Sequence, residues 1–249
     1  MSGRRARTGY LLLFPGIAWL AVFFAIPLVT LFATSLQTPI EGKTGRYQPG
    51  LDVGNYASAL SDYWEQFIRS FVYAGVATVL ALCIAYPLAY FIAFKAGKWR
   101  SLMLVLVVAP SFASFLLRTY AWKTILADEG VITRTLNALH LLPDGRILNT
   151  WIAVIAGLTY NFLPFMILPL YAALEKIDHR LIEAAGDLYA SPFTAFRKVT
   201  WPLSMPGVVA GTLLTFIPAA GDYINATLLG SPKNRMIGNA IQANFIEFR

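Results

Sequence analysis

Residues 150–174 read TWIAVIAGLTYNFLPFMILPLYAAL, a stretch without one charged side chain. A helix needs roughly 20 apolar residues to cross about 30 Å of hydrocarbon, and this stretch is long enough. Four further runs lack acids and nearly lack bases: Leu11–Leu36, Ser70–Phe94, Ser101–Trp122 and Leu203–Gly221. In lipid the backbone must satisfy its own hydrogen bonds, so these runs are expected as helices. The residue alternation of a membrane barrel is absent. Composition agrees, with 57% hydrophobic and 13% charged residues, against about 25% charged in soluble domains. The expected fold is all-α: a polytopic helical membrane protein forming one transmembrane domain over 1–249. Its spans are expected near 11–36, 70–94, 101–122, 150–174 and 203–229.

The net charge of +7 does not point to nucleic acid, because basic residues beside spans are what orientation demands. Arg4, Arg5 and Arg7 precede the first run, and Lys95, Lys98 and Arg100 crowd the short segment after the second. Placing both in the cytoplasm predicts a cytoplasmic N-terminus. It also puts 37–69 and 123–149 outside and 175–202 inside. The first apolar run is too long for a signal peptide and reads as an uncleaved span. Outside the spans, the chain turns amphipathic near Tyr56–Phe67, and Val131–Leu142 reads as a short helix closed by Pro143, Asp144 and Gly145.

Enzyme chemistry finds little footing. Gly42-Lys43-Thr44 resembles the end of a phosphate-binding loop, but that motif needs glycine at 37, where Gln37 stands. Cys83 is alone, and His140 and His179 fall on opposite sides of the membrane, so no catalytic constellation, metal site or cofactor is expected. The segment 175–202 is richer. Asp178 can cap a helix that places Leu181, Ala184, Ala185 and Leu188 on one face, with Arg180, Glu183 and Asp187 on another. Ser191-Pro192 reads as the cap and first turn of a second helix. A helix of about 11 residues is marginal alone in water. Its small apolar face suits docking on another surface, or it is a connector lying on its own bundle.

Glu183-Ala184-Ala185, followed by Val199, Trp201 and Pro202, resembles the EAA loop of binding-protein-dependent ABC importer permeases, of the type I, MetI-like fold. Two positions depart from that pattern: its glycine is Tyr189 here, and its leucine before proline is Trp201. The resemblance implies a coupling helix, with Glu183, Ala184, Ala185, Asp187, Leu188 and Tyr189 contacting an ATP-binding subunit. With tyrosine at 189 the bend is expected to differ or to use another residue. LLRTYAWKTIL (116–126), YNFLPFMILPLYAAL (160–174), PLSMPGVVAG (202–211) and PAAGDYINATLLG (218–230) look like the spermidine/putrescine permease subfamily.

The implied function is a polyamine permease of the bacterial inner membrane, driven by a separate ATPase homodimer. A second homologous permease and an extracytoplasmic substrate-binding protein are the other implied partners. Such permeases have six spans. Ile237–Phe248 (IGNAIQANFIEF) is expected to approach a sixth that is absent here.

Asp222 is the one acid inside a span, and intramembrane acids usually face a cavity or a partner. With Tyr223 and Asn225 it could hold an ammonium group, or it pairs with Arg118 or solvent at the outer end of the span. Tyr160, Asn161 and Trp122 complete the candidate path. The alternatives for them are a neighbouring helix for Asn161 and an interfacial belt for Trp122. Gly207 and Gly211 allow close helix approach, Pro218 and Gly221 should break the fifth helix, and Pro87, Pro110, Pro164 and Pro169 should kink theirs. Rival readings keep the importer but change its cargo to another organic cation, an opine-like compound or ferric iron. A further rival makes the chain an ATP-independent secondary transporter.

Overall fold

A computed structural model of the chain describes residues 12–39, 47–140 and 145–247. Arg4, Arg5 and Arg7, the Gly42-Lys43-Thr44 stretch, and Leu142, Pro143 and Asp144 lie outside the described residues. The chain divides into two compact units, up to Trp64 and from Glu65 onward.

The first unit contains helix α1 (Leu12–Ser35). A wider π turn occupies its residues Ala21–Ala25. The ring of Pro27 would otherwise meet the carbonyl of Phe23, four residues back, so the wider turn falls where it relieves that clash. A two-stranded antiparallel ladder pairs Thr38 with Gln48 and Pro39 with Tyr47. Helix α2 (Gly54–Asp62) follows. The Asn55 side-chain amide donates to the carbonyls of Ser35 and Gln37 at 3.1 and 3.0 Å, satisfying groups at the end of α1.

The second unit is built on α3 (Trp64–Phe94), α7 (Trp151–Glu175) and α9 (Pro192–Ala220). Between α3 and α7 lie α4 (Gly97–Phe112), α5 (Phe115–Ile125) and α6 (Val131–Ala138). Between α7 and α9 lies α8 (His179–Asp187). After α9 come α10 (Ile224–Leu229) and α11 (Ile237–Gln242), which runs on as a π turn over Ala243–Glu247. By length and hydropathy, α1, α3, α7 and α9 can each cross a membrane, and α4 with α5 makes a fifth crossing if the pair counts as one.

Alanines set the packing of α3. Ala74, Ala77, Ala81, Ala85 and Ala89 repeat at helical spacing and are all buried, so neighbouring helices approach its backbone closely. The most extensive helix–helix contact joins α7 and α9. A β-carbon on Gly207 would stand 2.8 Å from the Pro169 carbonyl oxygen, and one on Gly211 would stand 2.8 Å from Met166 Sδ. One core cluster gathers Ala85, Ile92, Met166, Leu170 and Leu174 around Val208; a second gathers Ala77, Val154, Leu158 and Phe162 around Ala219 and Met236. Large apolar side chains such as Val105, Leu106, Leu213, Leu214 and Ile217 stay exposed. That distribution suits a solvent of lipid.

The all-α expectation holds, but three segments differ from their sequence reading. The run expected as one helix over 101–122 is broken: α4 and α5 meet at 93°. A 3₁₀ turn over Ala109–Phe112, containing Pro110, ends α4, and Ala113 and Ser114 are extended. Hydropathy sees only an unbroken apolar run there. The fifth helix starts at Pro192, eleven residues before the apolar run, because α9 is continuous through a π turn at Phe196–Thr200. That turn again lies just before a proline, Pro202, whose ring faces the carbonyl at 198. The short helix foreseen over 131–142 ends at Ala138.

Gly207→Val is expected to push α9 off α7 and destabilise the protein by about 1–3 kcal/mol, the usual range for overpacking. Thermal unfolding of the purified chain checks this; an unchanged midpoint would show that the close contact is dispensable.

Candidate functional site

Two places bring the candidate residues together. The first is the connection from α7 to α9. Its entry is clamped: Arg100, at the start of α4, ion-pairs with Glu175 and donates to the Tyr171 hydroxyl, with its guanidinium 4.9 Å from the Tyr171 ring centre. The first turn of α8 rests on the end of α3, where the His179 and Phe94 rings meet edge to face at 5.0 Å. Its exit is clamped by an aromatic cluster in which Phe196 lies 5.7 Å from Tyr86, and Trp201 lies 5.2 Å from Tyr86. The Tyr86 hydroxyl also bonds Ser204 at 2.8 Å. Trp201, where the resemblance expects leucine, thus serves as part of the clamp.

Both capping expectations hold. Asp178 accepts from the Arg180 N–H at 3.0 Å, and Ser191 accepts from the Thr194 N–H at 3.3 Å. The helix between them is shorter than foreseen and oriented differently. Ile182 and Ala185 are part-buried, while Leu181, Ala184 and Leu188 are exposed, as are Glu183 and Asp187. The apolar face was expected to carry Ala185 together with Leu181, Ala184 and Leu188; instead Ala185 turns inward with Ile182. Leu181 and Ile182 are neighbours of similar hydrophobicity, so the sequence pattern cannot say which of them faces the bundle.

The end of α8 settles the question raised by Tyr189. The Tyr189 N–H bonds the Gly186 carbonyl at 2.9 Å, and the Ala190 N–H bonds the Ala185 carbonyl at 3.0 Å. This is the Schellman pattern, in which the residue just past the cap adopts a left-handed conformation. Tyr189 does so, with φ of +59°. The tight turn therefore forms at 189 itself, although a β-carbon in that conformation costs about 1–2 kcal/mol.

The second place is a buried polar chain where α5, α7 and α10 meet. The Asn161 amide donates to Asn225 Oδ1 at 3.1 Å and to Thr119 Oγ1 at 3.3 Å. Asn161 Oδ1 and Asn225 Nδ2 are buried without hydrogen-bond partners. Asp222, 9% exposed, accepts from the Asn225 N–H at 2.7 Å and so caps the start of α10. The Tyr223 carbonyl takes the Asn239 amide at 3.0 Å. The Tyr160 ring lies 5.3 Å from Trp122. Hydrogen bonds thus link Asp222, Asn225 and Asn161, whereas Tyr223 bonds Asn239 and Tyr160 pairs with Trp122. A β-carbon on Gly157 would stand 2.8 Å from Asn225 Oδ1 and would also collide with Leu229, so this glycine sets the α7–α10 spacing.

The ion pairs among the described residues are Arg69–Glu65, Arg100–Glu175 and Arg134–Glu129, so the alternative pairing of Asp222 with Arg118 is not made. Arg118 instead shares an otherwise apolar cavity of about 330 Å³ with Tyr160, Leu88, Met103 and Leu163. Thr119 and Asn239 were missed by sequence reasoning. Their signal was their polarity beside apolar runs, where such groups seek partners on neighbouring helices. No group of three or more His, Cys, Asp or Glu able to hold a metal occurs among the described residues.

Residues 10–249 match the family described as binding-protein-dependent transport system inner membrane component. The spermidine/putrescine transport system permease protein PotB of Haemophilus influenzae is 41% identical over 231 residues, covering 92% of this chain and 80% of the relative. The Escherichia coli K12 protein of the same name is 37% identical over 235 residues, covering 94% and 85%. The inner membrane ABC transporter permease protein YdcU of Escherichia coli K12 is 31% identical, covering 93% and 78%. In fold, the chain is similar to a chain from a bacterial ABC transporter involved in the import of alginate. The TM-score is 0.66 at 20% identity, covering all of this chain and 83% of that one.

Gly157→Ala is expected to force α10 away from α7, breaking the Asn161–Asn225 bond and costing about 1–3 kcal/mol. The unfolding midpoint measures it, and wild-type stability would show that the spacing is not set here.

Proposed function

The chain belongs to the family of binding-protein-dependent transport system inner membrane components, and on that premise we propose that it is the permease subunit of an ATP-driven importer of polyamines. Relatives carrying the spermidine/putrescine name at 37–41% identity over most of the chain support the cargo. The reaction at this subunit is movement across the membrane, with ATP hydrolysed by partner subunits. An ATP-binding homodimer, a second homologous permease and an extracytoplasmic binding protein complete the machine. The N-terminus and the 175–202 segment face the cytoplasm, as the basic residues around Lys95, Lys98 and Arg100 favour.

The observation that carries the mechanism is a short helix clamped at both ends with its apolar face uncovered. Glu183, Ala184, Asp187, Leu188 and Tyr189 are exposed, and Ala185 lies part-buried behind them. Docked on the ATP-binding subunit, α8 is displaced when that subunit closes on nucleotide. The Arg100–Glu175 clamp passes the displacement to α7, and the Tyr86–Phe196–Trp201 cluster passes it to α9. Because α7 and α9 are locked together at Gly207 and Gly211, the pair moves as one body. The bundle then alternates between inward-open and outward-open states.

The polar chain supplies the chemistry for a polycation. The Asp222 carboxylate offers charge, the free Asn161 Oδ1 offers a hydrogen-bond acceptor, and Tyr160, Trp122 and Tyr223 offer ring faces to ammonium groups. Asn225 holds the first two elements together.

Glu183→Lys is expected to abolish polyamine uptake while leaving the protein in the membrane; unchanged uptake of radiolabelled spermidine would remove the coupling role. Asp222→Asn keeps a good helix cap and removes only the charge. It is expected to lower uptake and polyamine-stimulated ATPase activity about tenfold, the scale of one charge-assisted hydrogen bond. Wild-type values would take Asp222 out of the path.

A further inference from the structure

Arg118 is a charge that the proposed path does not use. Its Nε is buried without a hydrogen-bond partner, and its guanidinium lies 5.6 Å from the ring of Phe115, one turn back on α5. It lines a cavity of about 330 Å³ with Tyr160 and with the apolar Leu88, Met103, Leu163 and Ile167. The walls come from α3, α4, α5 and α7. Those four helices carry two acids, Glu65 and Glu175, both at helix ends and paired with Arg69 and Arg100. Their remaining charges, Lys98 and Lys123, are bases. No carboxylate of the walls is therefore free to neutralise Arg118. It is not an interfacial anchor either. Tyr160, on the same cavity, stands nine residues from Trp151 and fifteen from Glu175, about 14 and about 22 Å along α7. Charged groups held this deep in a membrane usually face a cavity and mark an ion pathway.

We propose that Arg118 is a charge barrier beside the translocation path, whose guanidinium keeps small inorganic cations and protons from following the cargo through. The proposal rests on the reading of the Asp222–Asn225–Asn161 chain as the polyamine path. Arg118 adjoins that chain: Thr119, the next residue on α5, accepts from Asn161 at 3.3 Å, and Tyr160, the residue before Asn161 on α7, lines the cavity of Arg118. A fixed positive charge among apolar walls is poorly screened, so it raises the energy of any cation that enters. An arginine excludes cations and protons from selective membrane pores on the same principle. A potassium ion or a hydronium concentrates its charge at one point and finds no acid in the cavity to offset the repulsion. A polyamine spreads several ammonium groups along methylene segments. One ammonium remains at Asp222 or against the Tyr160 ring while a methylene segment passes the guanidinium along Leu88 and Leu163. The carboxylate thus admits cations, and the arginine sorts them by how their charge is spaced.

The test uses the complete importer, this chain with the second permease, the ATP-binding subunit and the binding protein, in proteoliposomes. Fluxes of spermidine, potassium and mannitol are followed during ATP hydrolysis. With Arg118→Gln, potassium flux should rise about tenfold, the change that 1.4 kcal/mol of lost repulsion produces, while mannitol flux stays at the wild-type level. Arg118→Lys should restore the low potassium flux. Loosened packing would instead admit mannitol as well. In a Cys83→Ser background, an Arg118→Cys variant should leak potassium; a cationic thiol reagent should stop the leak, and a neutral reagent of similar size should not. Unchanged potassium flux in Arg118→Gln, as expected if an acid of the second permease neutralises the guanidinium, would overturn the proposal. So would a matching rise in mannitol flux or equal effects of the two reagents. If the wild-type importer moves no spermidine, the reading of the chain as a polyamine permease falls. If it moves spermidine and Arg118→Gln leaves potassium flux unchanged, only the barrier falls.

Discussion

Helices α7 and α9 touch backbone to side chain at Gly207 and Gly211, and most of the second unit is arranged around that contact. The glycines bring α9 within 2.8 Å, by virtual β-carbon, of a carbonyl of α7, a distance that any side chain would forbid. Lipid tails compete with apolar side chains for every surface, so membrane helices gain little from hydrophobicity alone; they gain from close packing and hydrogen bonding. The alanine stripe of α3 serves the same end on another face of the unit. Because α8 joins the ends of α7 and α9, the contact also determines what α8 can do. In the proposed mechanism a connector between two locked helices transmits motion that one between independent helices would absorb.

Polar groups are placed with the same economy. The bundle interior holds a linked set of amides and hydroxyls, Thr119, Asn161, Asn225 and Asn239, which tie α5, α7, α10 and α11 together. Two of their atoms lack partners, and a buried unpaired polar atom is unfavourable by roughly 1–3 kcal/mol. In the proposed function the open Asn161 acceptor serves a passing cation, since a purely structural network would be expected to close on itself. Asp222 illustrates how closely the two roles overlap. Its carboxylate caps α10, which holds the break after α9 in shape, and the same break brings it beside Asn225.

Much of this was legible in the chain itself. Hydropathy located the long helices, and the EAA spacing identified the family before any geometry was known. Asp178 and Ser191 cap the helices for which they were chosen, because capping is a local hydrogen bond between a short side chain and a nearby N–H. The end of α9 was readable as well, since Gly221 stands directly after its last residue, Ala220. The 93° bend after Phe112 was not, since an apolar run looks the same whether it continues straight or turns against a neighbour. The merging of the 192–202 segment into α9 was also hidden, because Arg197 and Lys198 lower its hydropathy without interrupting its helix.

The sequence by itself determined the class of protein, the family and the presence of the long apolar helices, since these follow from composition, periodicity and short-range spacing. Only the tertiary structure decided which way α8 faces, because Leu181 and Ile182 offer equal hydrophobicity and packing against the bundle alone distinguishes them. It also decided that Asn161 and Asn225, 64 positions apart, share a hydrogen bond. Tyr189 shows the boundary most clearly. Its backbone preference argued against a tight turn there, and the hydrogen bonds of Gly186 and Ala185 impose one, because two satisfied carbonyls outweigh the crowding of a single β-carbon.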